Sequence, residues 1–194
     1  MSTDHLTDPT DLGLLQRIVA RDTAALAELY DRHSRLLFGL VLRIVRDRAE
    51  AEEILQEVFI RVWTRAELYD SRLGGPTPWL VRLARNCAID RLRARRTRDA
   101  VSRPGLDEST AYPAHSSMHV PTPETVVIHA ERRGTVVEAL SRLPAEQARL
   151  IEAAFFEGYT HSELATLFGL PLGTVKTRIR AGLTTMRQRL EHTV

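Results

Sequence analysis

The sequence lacks most features that would place the protein in a membrane, outside the cell or among metalloproteins. It has one cysteine in 194 residues, Cys87, which excludes an internal disulfide and a cysteine-based zinc site within one chain. Its longest apolar run, 36–45, is interrupted by Arg43 and does not reach membrane-spanning length. The first ten residues are polar and acidic, unlike a secretion signal. We therefore expect a soluble, cytoplasmic protein.

Strand-like alternation is missing as well, and nearly every segment repeats its apolar residues with helical period. The period disappears between residues 99 and 122, where proline, glycine and serine accumulate, as is typical of a flexible linker. The sequence predicts an all-α protein of two small helical domains joined by that linker. The predicted order is a flexible N-terminus (1–10), an N-terminal domain (11–98), the linker (99–122) and a C-terminal domain (123–194).

Capping residues predict the first two helices. We expect Asp11 to cap a short helix that ends near Ala20, and Thr23 to cap the next. The second of these helices has an apolar stripe that should face a core. The stripe consists of Leu26, Tyr30, Leu37, Leu40, Val41 and Val45.

Two further helices follow in the same domain. Asp47, with Glu50 three residues later, predicts a helix that opens with a capping box. After a loop containing two glycines, Thr77 and Pro78 predict the start of a long helix that ends near Arg98. Because Cys87 falls on the apolar side of this helix, we expect it to be a small core residue.

The segment 160–180 predicts two short helices around a tight turn. Thr160 and Glu163 form a capping box at the start of the first helix. Gly169 allows the turn, and Pro171 can open the second helix because its missing N–H is not needed there. This pattern is typical of a helix-turn-helix whose second helix enters a DNA major groove.

The second helix of this motif has an expected buried side and an expected outward side. Val175, Ile179 and Leu183 repeat every four residues and should be buried together. A basic outward face is often only solvated, so this pattern alone does not establish DNA binding. The residues expected to face DNA are Thr174, Lys176, Thr177, Arg178 and Arg180.

An acidic and polar surface is predicted on the helix after Asp47. Glu53, Gln56 and Glu57 lie at helical spacing and should project together. Such a surface could bind a basic helical partner, although most glutamate clusters are simply solvated.

The long helix combines aromatic, amide and basic side chains. Trp79, Arg82 and Asn86 precede an arginine-rich end that includes Arg91 and Arg93. Stacking surfaces, phosphate neutralisation and an amide are what unpaired bases require. The alternative is that Trp79 is a core residue and the arginines only cover the surface.

The sequence predicts no metal site and no cofactor. His115 and His119 lie in the predicted linker, and two histidines there are too few ligands for a zinc site. A P-loop, an H-E-x-x-H motif and a G-x-S-x-G motif are all missing from the sequence, so we expect that the protein is not an enzyme.

Three motifs in order resemble one family. AEAEEILQEVFIRVW (49–63), PTPWLVRLARNCAIDRLRARR (76–96) and LPLGTVKTRIRAGL (170–183) together resemble the extracytoplasmic-function class of bacterial sigma factors. The family consists of small initiation subunits of RNA polymerase. The resemblance covers both predicted domains and leaves out the linker and the tails.

The resemblance implies partners and roles. The partners would be core RNA polymerase, through its largest-subunit clamp and its flap, promoter DNA, and an anti-sigma protein that is often membrane-anchored. The implied residues are Glu53, Gln56 and Glu57 for the clamp, Trp79, Arg82, Asn86, Arg91 and Arg93 for recognition and melting of the −10 region, and the helix of Thr174, Lys176, Thr177, Arg178 and Arg180 for the −35 element.

Three alternatives stay open from the sequence. A sigma-like interaction protein that never binds promoters would have lost its DNA-facing cations, and these are present. A recombinase-like enzyme would need a catalytic domain. A plain helix-turn-helix repressor leaves the acidic helix and the arginine-rich helix without a role.

Overall fold

The computed structural model describes residues 10–102 and 140–191, in which helices and turns occur and strands do not. The chain divides into two compact units, unit 1 (Met1–Asp99) and unit 2 (Ala100–Val194). The prediction of an all-α protein with two helical domains is confirmed. The predicted N-terminus through residue 9, residues 103–122 of the predicted linker, and residues 123–139 lie outside the described part.

Each unit is a small set of packed helices. In unit 1 two short 3-10 turns, Ala66–Leu68 and Ser71–Leu73, connect the third and fourth helices. The helices that begin in unit 1 are α1 (Asp11–Val19), α2 (Thr23–Val45), α3 (Arg48–Arg65) and α4 (Pro76–Ser102). Those described in unit 2 are α5 (Ala145–Phe156), α6 (His161–Leu167) and α7 (Leu172–Glu191).

Two helices begin with a cap one residue earlier than predicted. Thr10, not Asp11, caps α1 by accepting a hydrogen bond from the first turn. Asp22, not Thr23, caps α2 in the same way. The Asp11 carboxylate is engaged elsewhere, because it lies 2.7 Å from Nε2 of the buried His33. That contact joins α1 to α2.

The predicted starts of α3 and α4 differ in their outcome. Asp47 caps α3 as predicted, through a 2.8 Å hydrogen bond from the Glu50 N–H. The other half of the predicted capping box is not formed, because the Glu50 carboxylate lies near Arg91 and Arg95 of α4 instead. The prediction that Thr77 caps α4 is wrong, because the helix begins at Pro76 and includes Thr77. Proline suits a first helical position, where no N–H is needed. At its other end α4 extends past Arg98 to Ser102.

The core of unit 1 collects apolar side chains from all four of its described helices. Cys87 is buried there, as predicted. The prediction that Tyr30 is buried is wrong, because its ring lies at the edge of the core, 4.8 Å from the ring of Phe59. The fully buried residues include Leu14, Ile18, Leu29, Leu37, Val41, Ile54, Val58, Leu80 and Ala84.

The core of unit 2 is smaller and holds the helix-turn-helix together. The capping box of Thr160 and Glu163 is present as predicted. Gly169 adopts a left-handed φ of 61° at the turn, which a glycine adopts without strain. The buried cluster consists of Leu143, Leu150, Ile151, Ala153, Leu164, Val175 and Ile179.

The prediction that Leu183 completes the buried stripe of α7 is wrong. Val175 and Ile179 are buried, but Leu183 is 51% exposed. Each four-residue step over-rotates a helix by about 40°, so two such steps carry Leu183 away from the core. Gly182 and Met186 continue the inward stripe instead.

Candidate functional site

The outward surface of α3 carries the predicted acidic and polar residues. Glu53 and Gln56 are exposed and Glu57 is half-buried. Ile60 lies seven residues after Glu53 and four after Gln56, so it shares their side of the helix. It is 61% exposed. We define the α3 face as Glu53, Gln56, Glu57 and Ile60; its polar side chains are followed by one exposed apolar residue at the C-terminal end of the set.

Both glutamates of the α3 face already form ion pairs. Glu57 accepts a 2.5 Å hydrogen bond from Arg61, one turn along α3. Glu53 accepts a 3.1 Å hydrogen bond from Arg91 of α4. The α3 face therefore presents partly neutralised carboxylates rather than isolated negative charges.

Glu50 connects α3 to α4 beneath this face. Its carboxylate lies 3.8 Å from Arg91 and 3.5 Å from Arg95. The Glu50 side chain is only 17% exposed, against 67% for Glu53. Less exposed ion pairs are screened less by salt. Glu50 therefore holds both arginines from the less exposed side of the contact.

Four of the predicted −10 residues share one side of α4. Trp79, Arg82, Asn86 and Arg93 follow one another at steps of three, four and seven residues, which keeps them on one side of a helix. Arg82 and Asn86 are exposed, and Trp79 is half-buried. We define the α4 face as these four residues.

Arg91 does not belong to the α4 face. It follows Asn86 by five residues, a rotation of about 140° around the helix. Its guanidinium points instead to the carboxylates of Glu50 and Glu53 on α3. Arg91 therefore contacts the acidic residues Glu50 and Glu53 and lies apart from the other predicted −10 residues.

The loop before α4 is ordered by its own side chains. Tyr69 packs edge-on against Trp79 with ring centroids 5.6 Å apart, and its hydroxyl donates a 2.9 Å hydrogen bond to the Gly74 carbonyl. Arg72 donates to both carboxylate oxygens of Asp70 at 2.8 and 3.0 Å. These hydrogen bonds hold the pKa of the Asp70 carboxyl below its usual range.

The thiol of Cys87, on the inner side of α4, has low reactivity. Burial raises the pKa of its thiol above the usual value, an effect that the nearby Arg61 only partly opposes. A protonated, buried thiol is a poor nucleophile and a poor metal ligand. Its position fits the predicted packing role.

In unit 2, the predicted DNA-facing residues divide into two sets. Lys176, Thr177 and Arg180 are exposed on the outward side of α7, which we define as the α7 face. Within the described residues, neither Lys176 nor Arg180 forms an ion pair. The Thr177 hydroxyl donates a 2.9 Å hydrogen bond to the Gly173 carbonyl, so its oxygen remains available as an acceptor.

Arg178 lies away from the α7 face. It is two residues from both Lys176 and Arg180, which places it about 160° around the helix from each. Its guanidinium contacts the Glu146 carboxylate at the start of α5, at 2.7 Å. Thr174 lies on the same side as Arg178 and is half-buried.

Sequence reasoning missed Glu50, Ile60 and Glu146. The signal for Glu50 was available, since it lies three residues before Glu53 and shares its side of α3. Ile60 looks like a core residue until the packing is known. No sequence signal connects Glu146 to Arg178, because they lie on different helices.

Among the described residues, no group of three or more potential ligands is arranged to hold a metal ion. His115 and His119 fall outside that part of the chain. The helices in residues 10–102 and 140–191 include none long and apolar enough to cross a membrane.

Each of the two units matches a known protein family. Residues 29–98 match the family model of Sigma-70 region 2, and residues 133–186 match that of Sigma-70 region 4. The first match lies within unit 1 and the second within unit 2.

Individual relatives cover nearly the whole chain. It is 35% identical over 175 residues to the ECF RNA polymerase sigma factor SigK of Mycobacterium sp. strain KMS, covering 90% of this chain and 88% of the relative. It is 33% identical over 182 residues to SigK of Mycobacterium tuberculosis strain H37Rv, covering 92% of each. Among solved structures, Rhodobacter sphaeroides SigE in complex with the anti-sigma ChrR is 31% identical, covers 94% of this chain and 99% of that one, and has a TM-score of 0.44.

Proposed function

This chain belongs to the extracytoplasmic-function sigma factors of bacterial RNA polymerase, and from that membership we propose how its residues divide the work of initiation. A sigma factor binds core RNA polymerase and directs promoter-specific transcription initiation; it is an initiation factor. The observation that carries the proposal is that the region 2 and region 4 matches fall separately within units 1 and 2. We propose domains at 11–98 and 123–194 with a linker at 99–122.

The α3 face is the proposed contact with the polymerase clamp. Glu53, Gln56 and Glu57 supply carboxylates and an amide for a basic partner. We add Ile60, because an exposed apolar side chain next to polar ones can be buried against a partner protein. Charge then orients the encounter, and apolar burial slows dissociation.

The α4 face is the proposed contact with the −10 region. Trp79 can stack on an unpaired base, Asn86 can hydrogen-bond a base edge, and Arg82 and Arg93 can neutralise phosphates. Arg91 lies off this face, so we propose that it contacts a phosphate rather than a base.

The α7 face is the proposed reader of the −35 element. Lys176, Thr177 and Arg180 can reach base edges or phosphates of a major groove. Thr174 and Arg178 lie to the side, where a phosphate contact is the more suitable role. Two modest contacts on one chain reinforce each other, since the second forms at high effective concentration.

Control by an anti-sigma protein is also proposed. The sequence resemblance implies it, and SigE of Rhodobacter sphaeroides, which is 31% identical to this chain, forms a complex with the anti-sigma ChrR. We further propose a cytoplasmic location, where the polymerase acts. Retention of the full chain by a candidate inhibitor, with loss of polymerase binding, would support this control; simultaneous binding of both proteins without loss of transcription would contradict it.

The test is transcription in vitro by a bacterial core polymerase on a promoter library, with sequencing of the transcript starts. We expect the full chain to produce a defined set of start sites sharing −10 and −35 sequences. No promoter-specific starts with any core polymerase, in the absence of inhibitors, would refute the proposal.

One pair of variants tests the α3 face directly. Glu53→Lys should weaken binding to core polymerase by about tenfold, or about 1.4 kcal/mol, and circular dichroism should show that the helices persist. Asp31→Lys is the matched control, because Asp31 is exposed on α2 and lies outside the α3 face. Equal losses in both variants would indicate general charge rather than a specific contact.

A sigma-like interaction protein that never binds promoters is the competing function. It would bind polymerase or an anti-sigma protein but produce no promoter-specific starts. Lys176 and Arg180 of the α7 face are exposed and form no ion pair in the described part of the chain, which favours promoter binding.

A further inference from the structure

The contact between Glu53 and Arg91 belongs to two surfaces at once. Glu53 lies on the α3 face, and Arg91 is one of the arginines expected near DNA. Their side chains meet in a 3.1 Å hydrogen bond, and both remain partly exposed, at 67% and 30%. The ion pair is therefore accessible to solvent, and a ligand can bind either of its two side chains.

The two carboxylates near Arg91 differ in what a partner protein could reach. Glu50 is mostly covered and is shared between Arg91 and Arg95. Glu53 is the exposed member, and it makes the shorter of the two contacts with Arg91. A protein docked on α3 would thus remove Glu53 from Arg91 and leave Glu50 in place.

We propose that polymerase binding releases Arg91 for DNA. In the free chain, Glu53 occupies the guanidinium of Arg91 and competes with DNA phosphate for it. When the clamp takes Glu53, Arg91 keeps only the longer contact to Glu50 and turns its donors to the phosphate backbone. The polymerase and the DNA thereby favour each other's binding through one ion pair.

The reason is electrostatic competition. A carboxylate and a phosphate oxygen are both acceptors for a guanidinium, and both form charge-assisted hydrogen bonds. An exposed ion pair contributes about 0.2–1 kcal/mol, which corresponds to a change in DNA affinity of up to about fivefold. Thermodynamic linkage requires that DNA raise the affinity for polymerase by the same factor.

This inference rests on the proposed role of the α3 face, but its first test needs no polymerase. We would measure the affinity of the full chain for a fluorescent single-stranded oligonucleotide at low salt. Glu53→Gln should raise the affinity about two- to fivefold with a steeper salt dependence, because one more cation reaches phosphate. Adding Arg91→Gln to that variant should abolish the gain.

The matched control is Glu52→Gln, which makes the same change in net charge one residue away. Glu52 pairs with Arg48 on its own helix, at 3.0 Å. It should change DNA affinity by less than about twofold. Equal gains from Glu52→Gln and Glu53→Gln, or a gain that survives Arg91→Gln, would overturn the inference.

A second measurement tests the release itself. Arg91→Gln should weaken promoter binding by the polymerase holoenzyme about two- to fivefold, yet change DNA binding by the free chain less than about twofold. Equal losses with and without polymerase would show that Arg91 is never occupied by Glu53. If Glu53→Lys leaves polymerase affinity intact while Glu53→Gln raises DNA affinity, the clamp assignment fails and the ion-pair competition stands.

Discussion

The α3–α4 interface of unit 1 and helix α7 of unit 2 both present arginines expected to act on DNA, but their surroundings differ. In unit 1, Arg91 and Arg95 reach across to carboxylates of α3. In unit 2, Lys176 and Arg180 have no ion-pair partner within the described residues, whereas Arg178 pairs with Glu146.

The difference follows from what each helix packs against. Helix α4 lies beside an acidic helix, so its inner arginines find partners before DNA arrives. The α7 face points away from the apolar core of unit 2, and its cations stay in solvent. On the proposed roles, the cations of the α7 face are available to duplex DNA in the free chain, whereas some arginines of unit 1 would first have to leave their carboxylate partners.

The largest expected effect is a loss of stability in unit 2 alone. Leu164 is fully buried in the core of unit 2, so Leu164→Ala should lower the free energy of unfolding of this unit by about 2–5 kcal/mol. Calorimetry of the full chain should show loss of one transition and retention of the transition of unit 1.

The exposed Leu183 provides the control for this experiment. Leu183→Ala removes the same atoms from the same unit, but from a site that is half in solvent. It should change the unfolding free energy by less than about 0.5 kcal/mol. If Leu164→Ala lowers the unfolding temperature of both units together, the two are not independent and the comparison fails.

The next effect concerns the two kinds of arginine on α7. Arg180→Ala should weaken binding to a −35 duplex by about 1–2 kcal/mol and reduce the salt slope by about one, because an unpaired cation is lost. Arg178→Ala should cost less than about 0.5 kcal/mol of binding, since Arg178 already pairs with Glu146.

Fluorescence anisotropy at several salt concentrations would measure both quantities. A larger loss of affinity for Arg178→Ala than for Arg180→Ala would reverse the assignment of the α7 face.

The third effect tests Ile60, the apolar residue of the α3 face. Ile60→Ala should weaken core polymerase binding by about 1 kcal/mol, since part of an isoleucine side chain would be buried on docking. Stability should hardly change, because Ile60 is exposed in the free chain. Titration with core polymerase and thermal unfolding would separate the two effects.

Leu68→Ala is the control for Ile60→Ala. Leu68 is exposed to a similar extent, at 68%, and lies in the 3-10 turn beyond α3. Equal losses of polymerase affinity would mean that exposed apolar area in general, and not the α3 face, binds the polymerase.

The sequence predicted those features that depend on neighbours along the chain. The capping box at Thr160, the turn at Gly169 and the cap at Asp47 are local, and all three are present. The caps of α1 and α2 were misplaced by one residue, because Thr10 and Asp22 were equally suitable by type.

Features that depend on packing between helices could not be predicted. Arg91 and Arg178 were grouped with DNA-facing residues because they are basic and near them in sequence. Their positions opposite Glu53 and Glu146 follow from which helices pack together. Leu183 was misplaced for a different reason, since a strict four-residue repeat drifts around a helix of about 3.6 residues per turn.

The smallest expected effect compares how the helices of each unit are joined. In unit 1, α3 and α4 are joined by ion pairs. In unit 2, α5 and α7 approach closely at Gly182. A Cβ atom there would lie 2.6 Å from Cδ1 of the buried Ile151 and 3.4 Å from Cβ of Gln147. Gly182→Ala should therefore destabilise unit 2 by a net amount of about 1 kcal/mol, because overpacking exceeds the gain in helix propensity.

Gly173, on the same helix, separates the two contributions to that net effect. A Cβ atom at Gly173 would meet nothing within 4 Å, so Gly173→Ala gains helix propensity without a clash and should stabilise unit 2 by about 0.5 kcal/mol. Chemical denaturation of the full chain would measure both variants. Gly182→Ala would stabilise unit 2 as much as Gly173→Ala only if the Ile151 side chain moves aside. That result would show that α5 and α7 are not tightly packed at Gly182.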